Sequence, residues 1–394
     1  MELKKNKALD YKYSGIQAFY FMALAAIMGY ASVYLLAKGY SNSEIGVTMA
    51  VSSIISVFVQ PLAASYVDRH KNIALNKVVA VALSFIALMG FLLYFITSQS
   101  ILIVILFVSI GVTVMSLQPV MNALAFSFEK HGIQLNFGLA RGIGSVAYAV
   151  CSYILGKIVE SQNPDIIPLF FAFCALGVVM IVLQFKLPKE NEVYIDEVKT
   201  TSVHEISLLD FSKKYKRFML FVVGSIAIFF GHSFVNSFFI QVISNVGGTS
   251  SDMGTAIFLA AVLELPTMAY FSKIQGRFGC AKLLKIAGVF FAIKQIITFL
   301  APSVMMIYFA QFFQIFAYAL FIPASVYYVN EIISKEDNVK GQAMATLAVS
   351  ASGVFASLLG GVLLDSIGVN SVLLLTAIVS VIGALIIFIS VEQR

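Results

Sequence analysis

The chain has 394 residues, 60% hydrophobic and 12% charged, with a mean hydropathy of +0.92 and a formal net charge of +6. Soluble domains run at about 45–50% apolar and about 25% charged, which excludes a water-soluble fold, a disordered chain and a disulfide scaffold. The class left is an all-α polytopic membrane protein.

A helix needs about 20 mostly apolar residues to cross the roughly 30 Å hydrocarbon core. In chain order, twelve stretches are predicted to do so: 13–36, 43–66, 74–96, 101–127, 136–158, 166–186, 217–243, 252–273, 283–301, 303–330, 338–364 and 370–390. Before the first lies a basic, polar Met1 to Lys12, with no small-residue cleavage site after it, so the first span is expected to stay attached. The one long connection sets the expected domains: a six-helix bundle over 1–186, a cytoplasmic linker over 187–216 and a second six-helix bundle over 217–394. Twenty-two of the 26 lysines and arginines fall on the side of the termini and the even-numbered loops. The opposite side holds only Lys38 and Lys157. Both termini are therefore expected in the cytoplasm, with the protein in the cell membrane.

The halves resemble each other. Ser43-Glu44-Ile45-Gly46 recurs 208 residues later as Ser251-Asp252-Met253-Gly254, Pro119 recurs 204 later as Pro323, and Gly138 recurs 203 later as Gly341. Three matches at nearly one offset indicate an internal duplication. Two parallel repeats predict a solute site between the halves, near the midplane.

Catalytic chemistry has no foothold. Of four histidines only His232 lies membrane-deep, and no clustered His, Asp or Ser/His set accompanies it. Cys151, Cys174 and Cys280 form neither a CxxC pair nor a Cys/His cluster, so no metal, cofactor or enzyme activity is expected. Scattered bases argue against nucleic acid. Solute, protons and bilayer lipid are the expected partners, with a monomer as the functional unit.

The end of span two, Ala64-Ser65-Tyr66-Val67-Asp68-Arg69-His70-Lys71-Asn72, resembles the major-facilitator signature G-x-L-a-D-r-x-G-r-r. Asp68 and Arg69 keep its charged core, while Lys71 and Asn72 depart from Gly-Arg. The resemblance implies a conformational latch at Asp68 and Arg69. The alternative is a basic loop that only obeys the positive-inside rule. Asn136-Phe137-Gly138-Leu139-Ala140-Arg141-Gly142-Ile143-Gly144-Ser145 is similar to the Y-G-r-x-R-x-x-G-s stretch of the lactose permease and nucleoside permease group. Met28-Gly29-Tyr30, Gln60-Pro61, Glu264-Leu265-Pro266 and the run from Gly360 to Gly368 also look like that group. The similarity covers nearly the whole chain except the central loop. It implies twelve helices in two six-helix halves (the major-facilitator fold) and proton-coupled symport of a sugar, oligosaccharide or nucleoside.

An ionisable side chain inside a span costs at least about 2.5 kcal/mol on insertion scales, so it needs a partner or a cavity. The candidates are Arg141, His232, Glu264 and Lys294. Glu264 and Lys294 lie near mid-depth on consecutive antiparallel spans and are expected to pair, either for proton coupling or only to hold helices together. His232 is the next titrating candidate. Arg141 offers a planar fork of five donors to hydroxyls or a carboxylate. Tyr148 lies seven residues on, about two turns along the same face. The resemblance implies that Arg141 binds solute and that Tyr148 stands where the lactose permease carries a stacking tryptophan. This chain has no tryptophan. Asn122, near the position of the arginine's glutamate partner, Asn236 in span seven and Gln314 in span ten complete the expected solute set. Ala317 and Val349 replace the lactose permease's proton-carrying glutamate and span-eleven lysine, leaving Glu264 as the only midplane acid. The pair Gly138/Gly142 and the stripe Ser352, Ala356, Gly360 are expected to let helices approach closely. Two further readings stand beside symport: an exporter of amphipathic compounds or carrier of organic anions, and a receptor that binds solute without moving it.

Overall fold

Lipid inverts the sorting rule of a soluble helix, because large apolar side chains lose nothing by facing it while small and polar groups must find protein. Helix α4 (Leu75–Phe95) buries Val79, Leu83, Ile86, Gly90 and Leu93 and turns Val81, Phe85, Leu88 and Leu92 outward. The last helical stretch of the chain does the same. Val372, Thr376, Ser380 and Gly383 are inside, and Leu374, Ile378, Ile382, Leu385 and Ile389 are outside. This computed structural model describes residues 4–69, 74–129, 133–185 and 207–392.

Among the described residues, nine helices are long and apolar enough to cross a membrane, and a bent pair makes a tenth span. The pair is α1 (Lys7–Leu24), running on through a π-helical Ala25–Gly29, and α2 (Ala31–Ala37). The other spans of the first half are α3 (Asn42–Arg69), α4, α5 (Ile101–Glu129), α6 (Phe137–Ser161) and α7 (Ile166–Leu183). In the second half α8 (Leu208–Lys214) is a short helix within the expected linker. Then come α9 (Lys216–Ser237) with α10 (Phe239–Asn245), α11 (Ser250–Ala269) with α12 (Phe271–Phe278), and α13 (Cys280–Phe299). A broken span, α14 (Val304–Phe312) and α15 (Tyr318–Ile332), is joined by a 3₁₀ turn at Phe313–Ile315. Finally α16 (Asn338–Ser390) is interrupted at Gly368, whose φ of 76° no helix interior tolerates, so its 53 residues make two spans. With α13, whose Lys282, Lys285 and Lys294 dilute its apolar character, each of the twelve expected spans falls on helix over most of its described residues.

The chain divides into two compact units, Met1–Val198 and Lys199–Arg394. The duplication is written into their backbones. The first span breaks at Tyr30 (φ −108°, ψ 17°) and its counterpart at Phe238 (φ −120°, ψ 34°), 208 residues later. Gly39 (φ 87°) and Gly247 (φ 79°), again 208 apart, end those spans. Each closes the helix with the same crossed pair of bonds. Gly39 N–H meets Leu36 O and Tyr40 N–H meets Leu35 O; Gly247 meets Ser244 O and Gly248 meets Ile243 O. Just before the repeated Ser43–Gly46 and Ser251–Gly254, Ser41 with Glu44 and Thr249 with Asp252, again 208 apart, form a capping box in both units. Ser41 N–H donates to Glu44 (2.8 Å) and Glu44 N–H to Ser41 Oγ (3.2 Å). Thr249 N–H donates to Asp252 (2.9 Å), with the return bond at 3.5 Å.

In the first unit, α1 packs on α6 and α7, and α3 on α5. Four buried tyrosines of the first span each donate a hydroxyl proton to a neighbouring helix's carbonyl. Tyr13 reaches Met121 O (3.3 Å), Tyr20 Val114 O (2.6 Å), Tyr30 Ser152 O (2.5 Å) and Tyr34 Leu93 O (3.1 Å). Lys38, one of two bases on the sparsely basic side, is buried: its Nζ sits 2.7 Å from Asp165 Oδ1 and 2.7 Å from Ile96 O. A two-residue parallel ladder, β1 (Lys4–Lys5) on β2 (Ile133–Gln134), is the only strand pairing among the described residues.

In the second unit, α9 lies against α16 at Gly224 and Gly383. A Cβ on Gly383 would stand 2.9 Å from Gly224 O and 2.8 Å from Ala227 Cβ, so backbones touch there. The stripe Ser352, Ala356, Gly360 is buried, and Phe234 fills the notch at Gly360. The expected pair Gly138/Gly142 behaves otherwise: among the described residues nothing lies within 4 Å of a Cβ at either position. Close approach in α6 happens instead at Gly144. At one end of this second unit Asp337, just before α16, collects the Lys214 ammonium (2.8 Å), the Tyr215 hydroxyl (2.9 Å) and the Ser334 hydroxyl (3.3 Å). The Lys214 contact, then the hydroxyls, hold the Asp337 carboxyl below the usual carboxylate range.

Candidate functional site

Two polar clusters occupy the two units, and each is described by itself. The first is built where α1, α5 and α6 meet. Arg141 lies one turn into α6, whose N-terminus is capped by Asn136 accepting from Leu139 N–H (3.1 Å). Its guanidinium carbon stands 4.2 Å over the centre of the Phe21 ring. On α1, one turn before Phe21, Gln17 donates to the Tyr13 hydroxyl (2.8 Å) and is 1% exposed. Asn122 on α5 follows the residue whose carbonyl accepts from Tyr13. Among the described residues its Oδ1 is buried without a hydrogen-bond partner.

Tyr148 lies on α6 two turns beyond Arg141. Its hydroxyl lies against the first span at Gly29, where a Cβ would come within 2.9 Å of it. The helix break at Gly29–Tyr30 therefore seats Tyr148, a link that periodicity alone does not reveal. Gln17, Tyr13, Tyr20 and Phe21 were also missed by the sequence reading. Their signal was a polar and aromatic stripe at i, i+4, i+7 and i+8 in an otherwise apolar span.

The second cluster spans α9, α11, α13 and the 3₁₀ turn. Glu264 and Lys294 do not meet directly; Gln314 stands between them. The Lys294 ammonium donates to Gln314 Oε1, and Gln314 Nε2 donates to Glu264 Oε1 at 2.7 Å. A direct Glu–Lys pair, as expected from depth alone, is thus replaced by a three-residue chain. An amide accepts from an ammonium with its oxygen and donates to a carboxylate with its nitrogen, so it can bridge the two. The turn at Phe313–Ile315 delivers it, because it interrupts the span at Gln314. Lys294 and Gln314 are each 4% exposed, whereas Glu264 is half-buried.

His232 sits apart from this chain of bonds. Its Nε2 is 3.1 Å from Asn236 Nδ2, one turn along α9. The imidazole stacks on Tyr318 at 5.2 Å and meets Phe229 and Phe291 edge-on. Asn236 itself is exposed. Asp68 and Arg69 end α3, but their side chains, with Lys71 and Asn72, lie outside the described residues.

Twelve membrane-crossing helices in two duplicated units, with charged side chains held inside the helix bundles, define a polytopic membrane transporter of the major-facilitator type. Residues 11–375 match the MFS_1 like family, and the chain belongs to it. It is 25% identical over 384 residues to the uncharacterized transporter YwbF of Bacillus subtilis (strain 168), covering 94% of this chain and 91% of that one. It is 26% identical over 386 residues to the maltose permease of Geobacillus stearothermophilus, covering 95% and 94%. Among solved structures, a mutant form of the nucleoside transporter NupG shares the fold with a TM-score of 0.83 at 14% identity, covering 98% of this chain and all of that one. A bacterial homologue of the iron transporter ferroportin, in its inward-facing state, matches with a TM-score of 0.72 at 12% identity over 98% and 99%.

Proposed function

We propose that the protein is a proton-coupled symporter of a small polar solute of the sugar, oligosaccharide or nucleoside class. It works as a monomer in the cell membrane with both termini in the cytoplasm. Arg141, Asn122 and Tyr148 in the first half and Asn236 and Gln314 in the second meet the solute. Asp68 and Arg69 latch the cytoplasmic side, and residues 187–216 link two six-helix halves. The observation that carries the reading is the hydrogen-bonded chain Lys294–Gln314–Glu264. An apolar surround favours a neutral acid and a facing cation favours the carboxylate, so a group that alternates between them takes up and releases a proton. Gln314 gives that alternation a mechanism. A solute hydroxyl that captures its amide withdraws the hydrogen bond and the screened ammonium from Glu264 together, so solute arrival and proton uptake become one event. His232, stacked and bonded away from this chain, is the second coupling candidate.

The test uses purified protein in proteoliposomes with maltose and uridine as probes. Glu264→Gln should abolish accumulation driven by a pH gradient while leaving solute exchange intact. Retained accumulation would assign coupling elsewhere, with His232→Gln as the next variant. If Glu264 only holds helices together, neutralising Glu264 and Lys294 jointly restores gradient-driven uptake; a true proton carrier is not rescued that way. Binding without any exchange in the native protein would favour the receptor reading, and movement of aromatic acids in place of both probes the organic-anion reading.

A further inference from the structure

The Arg141 side chain is long and flexible, and a guanidinium meets a planar or paired acceptor productively only when its fork is correctly aimed. The structure supplies the aim from a helix distant in sequence. The guanidinium carbon lies 4.2 Å over the Phe21 ring, well inside the range of a cation–π contact. Phe21 is 7% exposed and is fixed from two directions. From one side Tyr20 meets it edge-on, ring centres 5.8 Å apart at 79°, and Tyr20 is itself anchored by its 2.6 Å hydrogen bond to Val114 O. From the other side α6 makes room for it at Gly144. A Cβ there would stand 2.8 Å from Phe21 Cδ2 and 3.3 Å from both Cγ and Cε2. Gly144 is three residues after Arg141 and so shares its face of the helix. One helix face thus carries both the charged group and the notch that admits the ring beneath it.

We infer that Phe21 is a positioning residue: its ring, seated in the notch at Gly144, holds the Arg141 guanidinium in the orientation in which it meets solute. The inference rests on the reading of Arg141 as a solute-binding residue. It explains why α6 carries glycine at 144. It also assigns Phe21, Tyr20 and Gly144 to solute recognition although none of them touches solute.

The experiment uses the full chain in detergent micelles with ¹⁵N-labelled arginine. The sequence has five arginines, so the Arg141 Nε–Hε resonance is identified by its loss in Arg141→Lys. In the native protein and in Phe21→Tyr that resonance should be displaced by the ring current. In Phe21→Leu, which removes the ring, and in Gly144→Ala, which pushes it aside, it should return toward the position of a solvent-exposed arginine. In parallel, maltose and uridine binding is measured by calorimetry. Both Phe21→Leu and Gly144→Ala should weaken binding about tenfold, the order expected for losing one desolvated cation–π contact, while Phe21→Tyr stays within about twofold. The inference is overturned if Phe21→Leu leaves the resonance in place, or if the resonance moves and affinity does not. Should Arg141→Ala bind the probes as the native protein does, the solute reading of Arg141 fails instead, and the resonance still decides whether Phe21 holds it. Gly144→Ala keeps the test open if Phe21→Leu does not fold, because it removes neither partner.

Discussion

The two units place their first spans in one frame and fill it with different chemistry. Counting 208 residues forward from the four sewn tyrosines, Tyr13 becomes Phe221, Tyr20 becomes Ile228, Tyr30 becomes Phe238 and Tyr34 becomes Val242. All eight are buried. The first unit thus ties its leading helix to neighbouring carbonyls by hydroxyl donors, and the second unit packs apolar surface at the same places. The contrast continues in the spans that share the repeated proline. Helix α5 runs unbroken past Pro119, whereas the span carrying Pro323 is interrupted at Phe313–Ile315. The charges follow suit. Arg141 is stacked on an aromatic ring, and Lys294 is wired through an amide to a carboxylate. A duplicated fold fixes where backbones bend and where helices end, and it leaves the polar chemistry of each half free to diverge.

The largest difference should appear when each buried cation loses its partner. Gln314→Leu strands the Lys294 ammonium at 4% exposure, so thermal unfolding in detergent should report a loss of about 3 kcal/mol. Phe21→Leu takes the ring from a half-buried Arg141 and should cost no more than about 1 kcal/mol through the lost cation–π contact. Equal losses would mean that the two sites are not energetically distinct. Next in size is the contact between α9 and α16. Gly383→Ala drives a methyl against Gly224 O and should destabilise by about 1–3 kcal/mol, as overpacking does. Gly138→Ala in the first unit, which meets open space, should be neutral or slightly stabilising in the same unfolding assay.

A smaller effect tests the tyrosine ladder. Tyr20→Phe deletes one hydrogen bond to a carbonyl and should cost about 1 kcal/mol. The apolar counterpart Ile228→Val loses one methylene and should cost a similar amount by a different route, cavity formation. Combining the two should give additive losses, since they lie in separate units. The smallest effect concerns the polar junction at Asp337. Its carboxyl is held low by the Lys214 ammonium, so this stabilisation is complete above the unfolded value of about 3.9 and is lost as pH falls through the lower folded value. The protection factors of the α8 amides, exchange rates divided by their intrinsic values at each pH, should therefore stay unchanged from pH 8 to pH 5 and fall below about pH 4. Asp337→Asn should show the acid behaviour already at pH 7, and unchanged exchange in that variant would detach α8 from this junction.

Period and composition determined most of the architecture. Twelve apolar stretches of spanning length can fold in lipid only as helices, because every backbone group must find its partner within its own segment. The recurrence around Glu44 and Asp252 was legible as a repeat, and only the structure shows that it carries a capping box in each unit, although the bonds themselves are local, three residues apart. Arg141, Glu264, Lys294 and His232 stood out because a charge in an apolar run has no bland explanation by composition. What a sequence could not decide is which side chains meet across helices. Glu264 and Lys294 are at similar depth, yet only the tertiary structure sets Gln314 between them, through a helix break that no proline or glycine at that point announces. Gly138 and Gly142 have the spacing of a contact pair yet meet nothing within 4 Å among the described residues, while Gly144, outside that pattern, receives Phe21 from another helix. The Tyr13–Tyr34 ladder likewise reads as aromatic packing until the carbonyls of three other helices arrive beside the hydroxyls. Local rules act over one turn of helix, whereas the partners of a buried polar group are chosen by how separate helices rotate against one another, and that rotation is a property of the assembled bundle.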